Sequence, residues 1–196
     1  APAAASVPER PVAALPVSAL PEPFTGWLRS RGWALRPHQA ALLEQARRQR
    51  STLLIAPTGA GKTLAGFLPS LVELAADAVE RGDESAGLHT LYVSPLKALA
   101  VDIERNLSAP VAEMGLPIAI ETRTGDSSAA KKRRQRERPP QILLTTPEQI
   151  ALLLSHADAA HLFRGLRRVV LDELHALAGS KRGDLLALGP ARLRTL

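Results

Sequence analysis

The stretch IAPTGAGKT, Ile55 to Thr63, constrains the fold of this 196-residue chain more than any other. Backbone N–H groups bind an anion where a turn opening a helix aims several of them at one place, with the positive end of the helix dipole behind them. Gly59 and Gly61 allow a curl that tight. Lys62 can then reach the β- and γ-phosphates of a nucleotide, and the Thr63 hydroxyl offers a ligand for Mg²⁺. The flanks agree. STLLIAP, Ser51 to Pro57, reads as a short buried strand, and KTLAGFLPSLVELAADAVERG as an apolar-periodic helix stopped by Gly82. Ala56 stands where the spelling G-x-x-x-x-G-K-[ST] has glycine; it needs only to end a strand, and a methyl group there is a small change.

Four further runs are rich in β-branched and apolar residues: HTLYVSP (His89 to Pro95), PIAIETRTG (Pro117 to Gly125), QILLTTP (Gln141 to Pro147) and LRRVVLDE (Leu166 to Glu173). Helical patterns such as LKALAVDIERNL and EQIALLLSH lie between them. Strands alternating with helices of this length imply an α/β fold, a mostly parallel sheet with helices on both faces. Ligands gather at the carboxyl ends of such strands. VVLDELH, Val169 to His175, delivers two carboxylates at one of those ends. Asp172 would hold Mg²⁺ through water, and Glu173 would orient or deprotonate an attacking water. An acidic turn after any strand is the plain alternative, and the phosphate loop upstream argues against it.

Composition narrows the class. The chain is 45% hydrophobic, enough for one sizeable core, and no apolar run approaches the roughly 20 residues a membrane-spanning helix needs. With no cysteine, disulfides and thiolate metal sites are excluded. Lys+Arg 25 against Asp+Glu 19 gives +6, which suits a polyanionic partner. Residues 1–23, rich in Ala and Pro without helical period, read as a flexible lead-in, with the ordered domain at 24–196. The run KKRRQRER, Lys131 to Arg138, reads first as a solvated helix face and second as a nucleic-acid contact.

Taken with the loop, DELH resembles the DEXH box of superfamily 2 helicases, whose phosphate loop is often spelled A-x-T-G-x-G-K-T and so accommodates Ala56. The other motifs follow in that family's order: RPHQ ending at Gln39 resembles the Q motif, SPLKAL (Ser94 to Leu99) motif Ia, RTGD (Arg123 to Asp126) motif Ib, and TTPEQ (Thr145 to Gln149) the TPE motif. The phrases FTGWLRSRGWALRPHQ and LDELHALAGSKRGDLLAL look most like the large helicase-related group, in particular its bacterial ligase-associated members.

The resemblance implies the first RecA-like motor domain of a nucleic-acid-dependent ATPase, C-terminally incomplete because no motif III follows DELH. Pro57, Thr58, Gly59, Ala60, Gly61, Lys62 and Thr63 would hold ATP, Gln39 would read the adenine edge, and Thr63 with Asp172 would hold Mg²⁺. Phe24 or Trp27 could stack on the adenine, unless it lies in the core. His175 would link the nucleotide site to the strand-binding surface. Ser94, Pro95, Lys97, Arg123, Thr124, Gly125, Thr146 and Pro147 would form a track for single-stranded nucleic acid, DNA before RNA, gripping phosphates without reading bases. A second RecA-like domain, a DNA ligase or a nuclease would be the protein partners, and the bacterial cytoplasm the compartment. In the RecA-like fold the motif III strand lies between the phosphate-loop strand and the DEXH strand, so residues 1–196 alone are expected to be marginally stable and unable to unwind duplexes. Two other classes stay open: a P-loop kinase or ATPase acting on a small molecule, and a nucleic-acid binding module regulated by ATP.

Overall fold

The computed structural model describes residues 20–57, 59–81, 87–177 and the separate positions 183, 184, 187, 189 and 192. Most of the expected lead-in, Thr58 and the helix-stopping Gly82 therefore lie outside the described residues. The chain divides into two compact units, Ala1–Pro69 and Ser70–Leu196.

In the first unit, α1 (Phe24–Ser30) and α2 (Pro37–Arg47) precede the start of α3 (Lys62–Arg81). Pro37 opens α2 at a position whose backbone N–H would have no helical partner in any case. Leu20, Phe24, Leu28, Leu35, Ala40 and Leu43 are buried here. The expectation of a buried strand over 51–57 is not met: these residues take no regular structure, and Leu53 and Ile55 are 70% and 87% exposed. A strand exists only where a neighbour takes up its N–H and C=O groups, and no described strand pairs with this segment. The helix after the loop does form, runs through Pro69 and reaches Arg81, one residue before the expected stop.

The second unit carries β1 (Thr90–Val93), α4 (Lys97–Glu113), β2 (Ile120–Arg123), α5 (Ala129–Glu137), β3 (Ile142–Thr145), α6 (Pro147–Ser155), α7 (Ala159–Phe163), β4 (Arg168–Leu171) and α8 (Leu174–Leu177). All four strands fall within the runs read from the sequence. They form one parallel sheet in the order β2-β3-β1-β4. The register aligns Thr122, Leu144, Tyr92 and Val170 on one face, and Arg123, Thr145, Val93 and Leu171 on the other. The first face receives α4, where the Thr122 hydroxyl donates to Glu104 at 2.5 Å. On the second, Leu91, Val93 and Leu143 pack with Ile150, Leu153 and Leu154 of α6 and with Ala159, Leu162 and Phe163 of α7. Each fully buried leucine contributes about 1.5–3 kcal/mol. Among the described residues β4 has β1 as its one strand neighbour, and its Val169 and Leu171 are 36% and 38% exposed.

A charged cluster locks the amino ends of the strands. Arg168 of β4 grips Glu73 of α3 with two bonds, 2.8 and 3.2 Å, and donates to Ser70 at 3.2 Å. His89, just before β1, brings Nε2 within 3.2 Å of the same carboxylate. This end of the sheet is structural, and the carboxyl end is left free for chemistry.

Candidate functional site

The phosphate loop has the backbone its glycines implied. Gly59 and Gly61 sit at φ 78 and 76, the left-handed region that favours glycine. At Gly61 a Cβ would also come within 2.9 Å of Gln39 Nε2, so a side chain there would push the Gln39 carboxamide aside as well as strain the backbone. Lys62 begins α3, and its ammonium donates to the Ala56 carbonyl at 3.0 Å, so Ala56 serves the loop through its backbone. The half-buried Thr63 follows in the first turn.

Gln39 does more than the sequence suggested. Its Oε1 accepts from the Arg36 backbone at 2.9 Å, its Nε2 donates to the Gly61 carbonyl at 3.3 Å, and the residue is 4% exposed. In this conformation the carboxamide braces the loop instead of presenting a free edge to adenine. Arg36 adds a second brace, with Nη1 donating to the Gly59 carbonyl at 3.2 Å. Of the two candidates for adenine stacking, Phe24 is in the core at 2% exposure. Trp27 packs edge-on against Trp33 at 5.6 Å, with the Arg31 guanidinium over both rings at 5.1 and 5.3 Å.

The acid pair stands at the carboxyl end of β4. Asp172 Oδ2 accepts the Tyr92 hydroxyl at 2.5 Å, and Oδ1 accepts the Glu173 backbone N–H at 2.9 Å. A carboxylate has about four acceptor positions, so both bonds leave room for a hydrated cation. Burial, followed by the bond to Asp172, pushes the Tyr92 hydroxyl well above its ordinary range and keeps it a donor. Glu173 lies at φ 47, a conformation non-glycine residues seldom adopt, which typically costs of order 1–3 kcal/mol and clusters at functional positions. Its carboxylate is 3.3 Å from His175 Nδ1, whose side chain is 80% exposed. Oxygen donors of this kind suit Mg²⁺.

The loops after β1, β2 and β3 share that edge of the sheet, as parallel strands require. Their side chains are less available than the sequence implied. Ser94 is fully buried and its Oγ accepts from Leu96 N–H at 3.4 Å; Pro95, Thr124, Thr146 and Pro147 are also buried. Arg123 is 4% exposed and donates to the Lys132 carbonyl at 2.9 Å, tying β2 to α5, so its side chain offers no grip on a phosphate in this conformation. Burial also pulls its guanidinium below the ordinary value. Lys97 and Gly125 are exposed, but the Lys97 ammonium is held by both Asp126 oxygens at 3.0 and 2.9 Å.

Positive charge concentrates instead on α5. Residues 129–138 carry six cations against Glu137, a net +5 of the chain's +6. Arg134 pairs with Glu121 and Arg136 with Asp158, while Lys132 donates to the Gly125 carbonyl at 2.8 Å, so the helix is fastened to the motif Ib loop. Tyr92, which holds Asp172 by its hydroxyl, is a residue of this site that the sequence alone does not single out. Its signal is parity: with β1 and β4 in parallel register, Tyr92, Ser94 and Asp172 all fall on one face.

The DEAD/DEAH box helicase family model matches residues 36–195. The chain belongs to this family. Its sequence is 44% identical over 180 residues to the Lhr helicase/probable uracil glycosylase of Mycolicibacterium smegmatis, covering 87% of this chain and 12% of that protein. It is 39% identical over 200 residues to the Lhr helicase/uracil glycosylase of Escherichia coli, covering 92% of this chain and 13% of that protein. The chain thus spans a small part of the length of these relatives. The structure of the Mycobacterium smegmatis helicase Lhr bound to ssDNA and AMP-PNP matches with a TM-score of 0.80 at 39% identity, over 93% of this chain and 24% of that one. The RecA-like fold expected of this DEAD/DEAH box domain is borne out. Among its described residues no helix is long and apolar enough to cross a membrane.

Proposed function

We propose that this chain is the ATP-binding motor domain of an ATP-dependent helicase or translocase that moves on single-stranded nucleic acid, DNA before RNA, in the cytoplasm. The observation that carries the reading is the shared edge of the parallel sheet. There Asp172 and Glu173 share the carboxyl edge with the loops after β1, β2 and β3, which supports a reading in which one sheet edge carries both the acid pair proposed for hydrolysis and the loops proposed for strand binding. The named relatives are Lhr helicases, and the solved helicase Lhr is bound to ssDNA and AMP-PNP, which supports the same reading.

Bound ATP and Mg²⁺ would supply a phosphoryl bond to break and a charge to polarise it. Lys62 would exchange the Ala56 carbonyl for the β- and γ-phosphates, and amides of the Gly59 to Thr63 turn would take up their oxygens. The proposed roles of Asp172 and the Thr63 hydroxyl are to hold the cation, and that of Glu173 would be to orient the attacking water and take its proton. The Gly125 loop, Lys97 and the cations of α5 would draw in the sugar-phosphate backbone, a grip expected to be indifferent to base sequence. A second RecA-like domain is the partner proposed to bring an arginine to the γ-phosphate, and the side of β4 that has no strand neighbour among the described residues suits a further strand.

Strand displacement from a tailed duplex by the protein at its full length tests this reading. ATP-dependent release of the strand, with DNA and RNA versions compared, is the expected result. ATP consumed on a small-molecule acceptor without nucleic acid would favour the kinase class, and binding without turnover the ATP-regulated module.

A further inference from the structure

We propose that Tyr92 is a positioning residue that holds Asp172 in place for nucleotide and, through the end of β1, joins it to the nucleic-acid loop that follows. The inference rests on the ATP and nucleic-acid reading above and deepens it. Tyr92 lies in the middle of the sheet, 2% exposed, with its ring fixed by packing and its hydroxyl 2.5 Å from Asp172 Oδ2. Asp172 would otherwise be free to turn about its side-chain torsions, and two donors from opposite sides, Tyr92 and the Glu173 N–H, set one orientation. A carboxylate that must hold a cation works best when its own hydrogen bonds fix its direction.

The link to the loop runs along β1 itself. Ser94 stands two residues beyond Tyr92 on the same face, where the strand passes into the loop. Ser94 is fully buried, so it does not itself meet a phosphate, but its Oγ accepts the Leu96 N–H and thereby shapes the turn that presents Lys97. One short stretch of β1 thus carries both the phenol that holds Asp172 and the side chain that shapes the loop. Movement of the loop when a strand binds would shift the end of β1 and, with it, the hold on Asp172. Coupling between two sites is reciprocal, so nucleotide should bias strand binding by the same factor.

Tyr92→Phe deletes the hydroxyl and keeps the ring, and Ser94→Ala removes only the side chain that shapes the loop. The protein at its full length is titrated with a fluorescent non-hydrolysable ATP analogue, with and without Mg²⁺ and with and without saturating single-stranded oligonucleotide. In Tyr92→Phe the Mg²⁺-dependent part of the affinity is expected to fall about tenfold, as for a missing bond to a charged acceptor, and the oligonucleotide should no longer change it. Ser94→Ala should keep the Mg²⁺-dependent affinity and lose the coupling. Thermal melts of both variants establish that they are folded. If Tyr92→Phe retains the parent's coupling to within about twofold, the proposal is overturned whatever the affinity does. A parent protein that binds no Mg²⁺–nucleotide overturns the underlying ATP reading as well, so the two failures are told apart.

Discussion

Glu73→Gln removes the charge at the centre of the amino-end lock while keeping the side chain's shape. Burial by itself would raise the Glu73 carboxyl; the close approach of His89, with the bonds and the charge of Arg168, outweighs it and brings the group from 4.5 down to about 2. A carboxylate depressed by folding contributes stability that is fully present above its unfolded value and is lost as pH falls through the folded one. The window here runs from 4.5 down to about 2. At 1.36 kcal/mol per unit the shift corresponds to about 3 kcal/mol. The Glu73 side chain is 33% exposed, so screening by water applies. It reduces the contribution to roughly 1–2 kcal/mol. The variant also leaves Arg168, with an 18% exposed side chain, without its counter-ion. For a domain of this size the melting temperature at neutral pH should fall by roughly 3–6 °C. Below pH 4.5 the variant should lose stability less steeply than the parent. Circular dichroism melts across a pH series measure both. An unchanged neutral melting temperature, or acid curves that run parallel, would refute the reasoning.

Lys62→Ala should abolish ATP hydrolysis with little change in fold, because the carbonyl its ammonium bonds belongs to an already accessible loop; normal turnover would sink the phosphate-loop assignment. Glu173→Gln should still bind ATP and Mg²⁺ while hydrolysis falls by roughly 10²–10⁴, and equal loss of binding in both variants would contradict the division of roles. Single-strand affinity should drop steeply with salt and vary little with base sequence. Lys131→Gln with Arg133→Gln should lower the salt slope by about 0.7 for each phosphate no longer neutralised, and an unchanged slope would return α5 to a solvated face.

Much of the proposed nucleotide site was legible because its chemistry dictates residue types at fixed spacing. Gly59 and Gly61 are glycines for a backbone reason that the φ values display, and Asp172 and Glu173 stand where an apolar strand ends. The four strands were legible from their β-branched runs. The segment 51–57 was not, because a strand is a property of a pair and its apolar residues say nothing about whether a neighbour is there. Side-chain direction in the loops was also hidden. Arg123, Ser94 and Thr146 read as phosphate ligands by type, yet the turns carry them inward, where Arg123 takes the Lys132 carbonyl. Lys97 was legible as a cation but not its pairing with Asp126, which lies 29 residues away. Tyr92 stayed unseen inside a run that any buried strand could have, and its role emerged only once the register of β1 against β4 set its parity with Asp172.

The central claim is that ATP hydrolysis by Asp172 and Glu173 is driven by a strand lying on the loops at the same edge of the sheet. The most direct measurement is the rate of ATP hydrolysis by the protein at its full length, with and without single-stranded DNA, using Lys62→Ala as the reference for background. The account predicts a low rate alone, a marked rise with single-stranded DNA of any sequence, and no rise in the Lys62 variant. A rate that is the same with and without nucleic acid, in a protein shown to bind the strand, would contradict it.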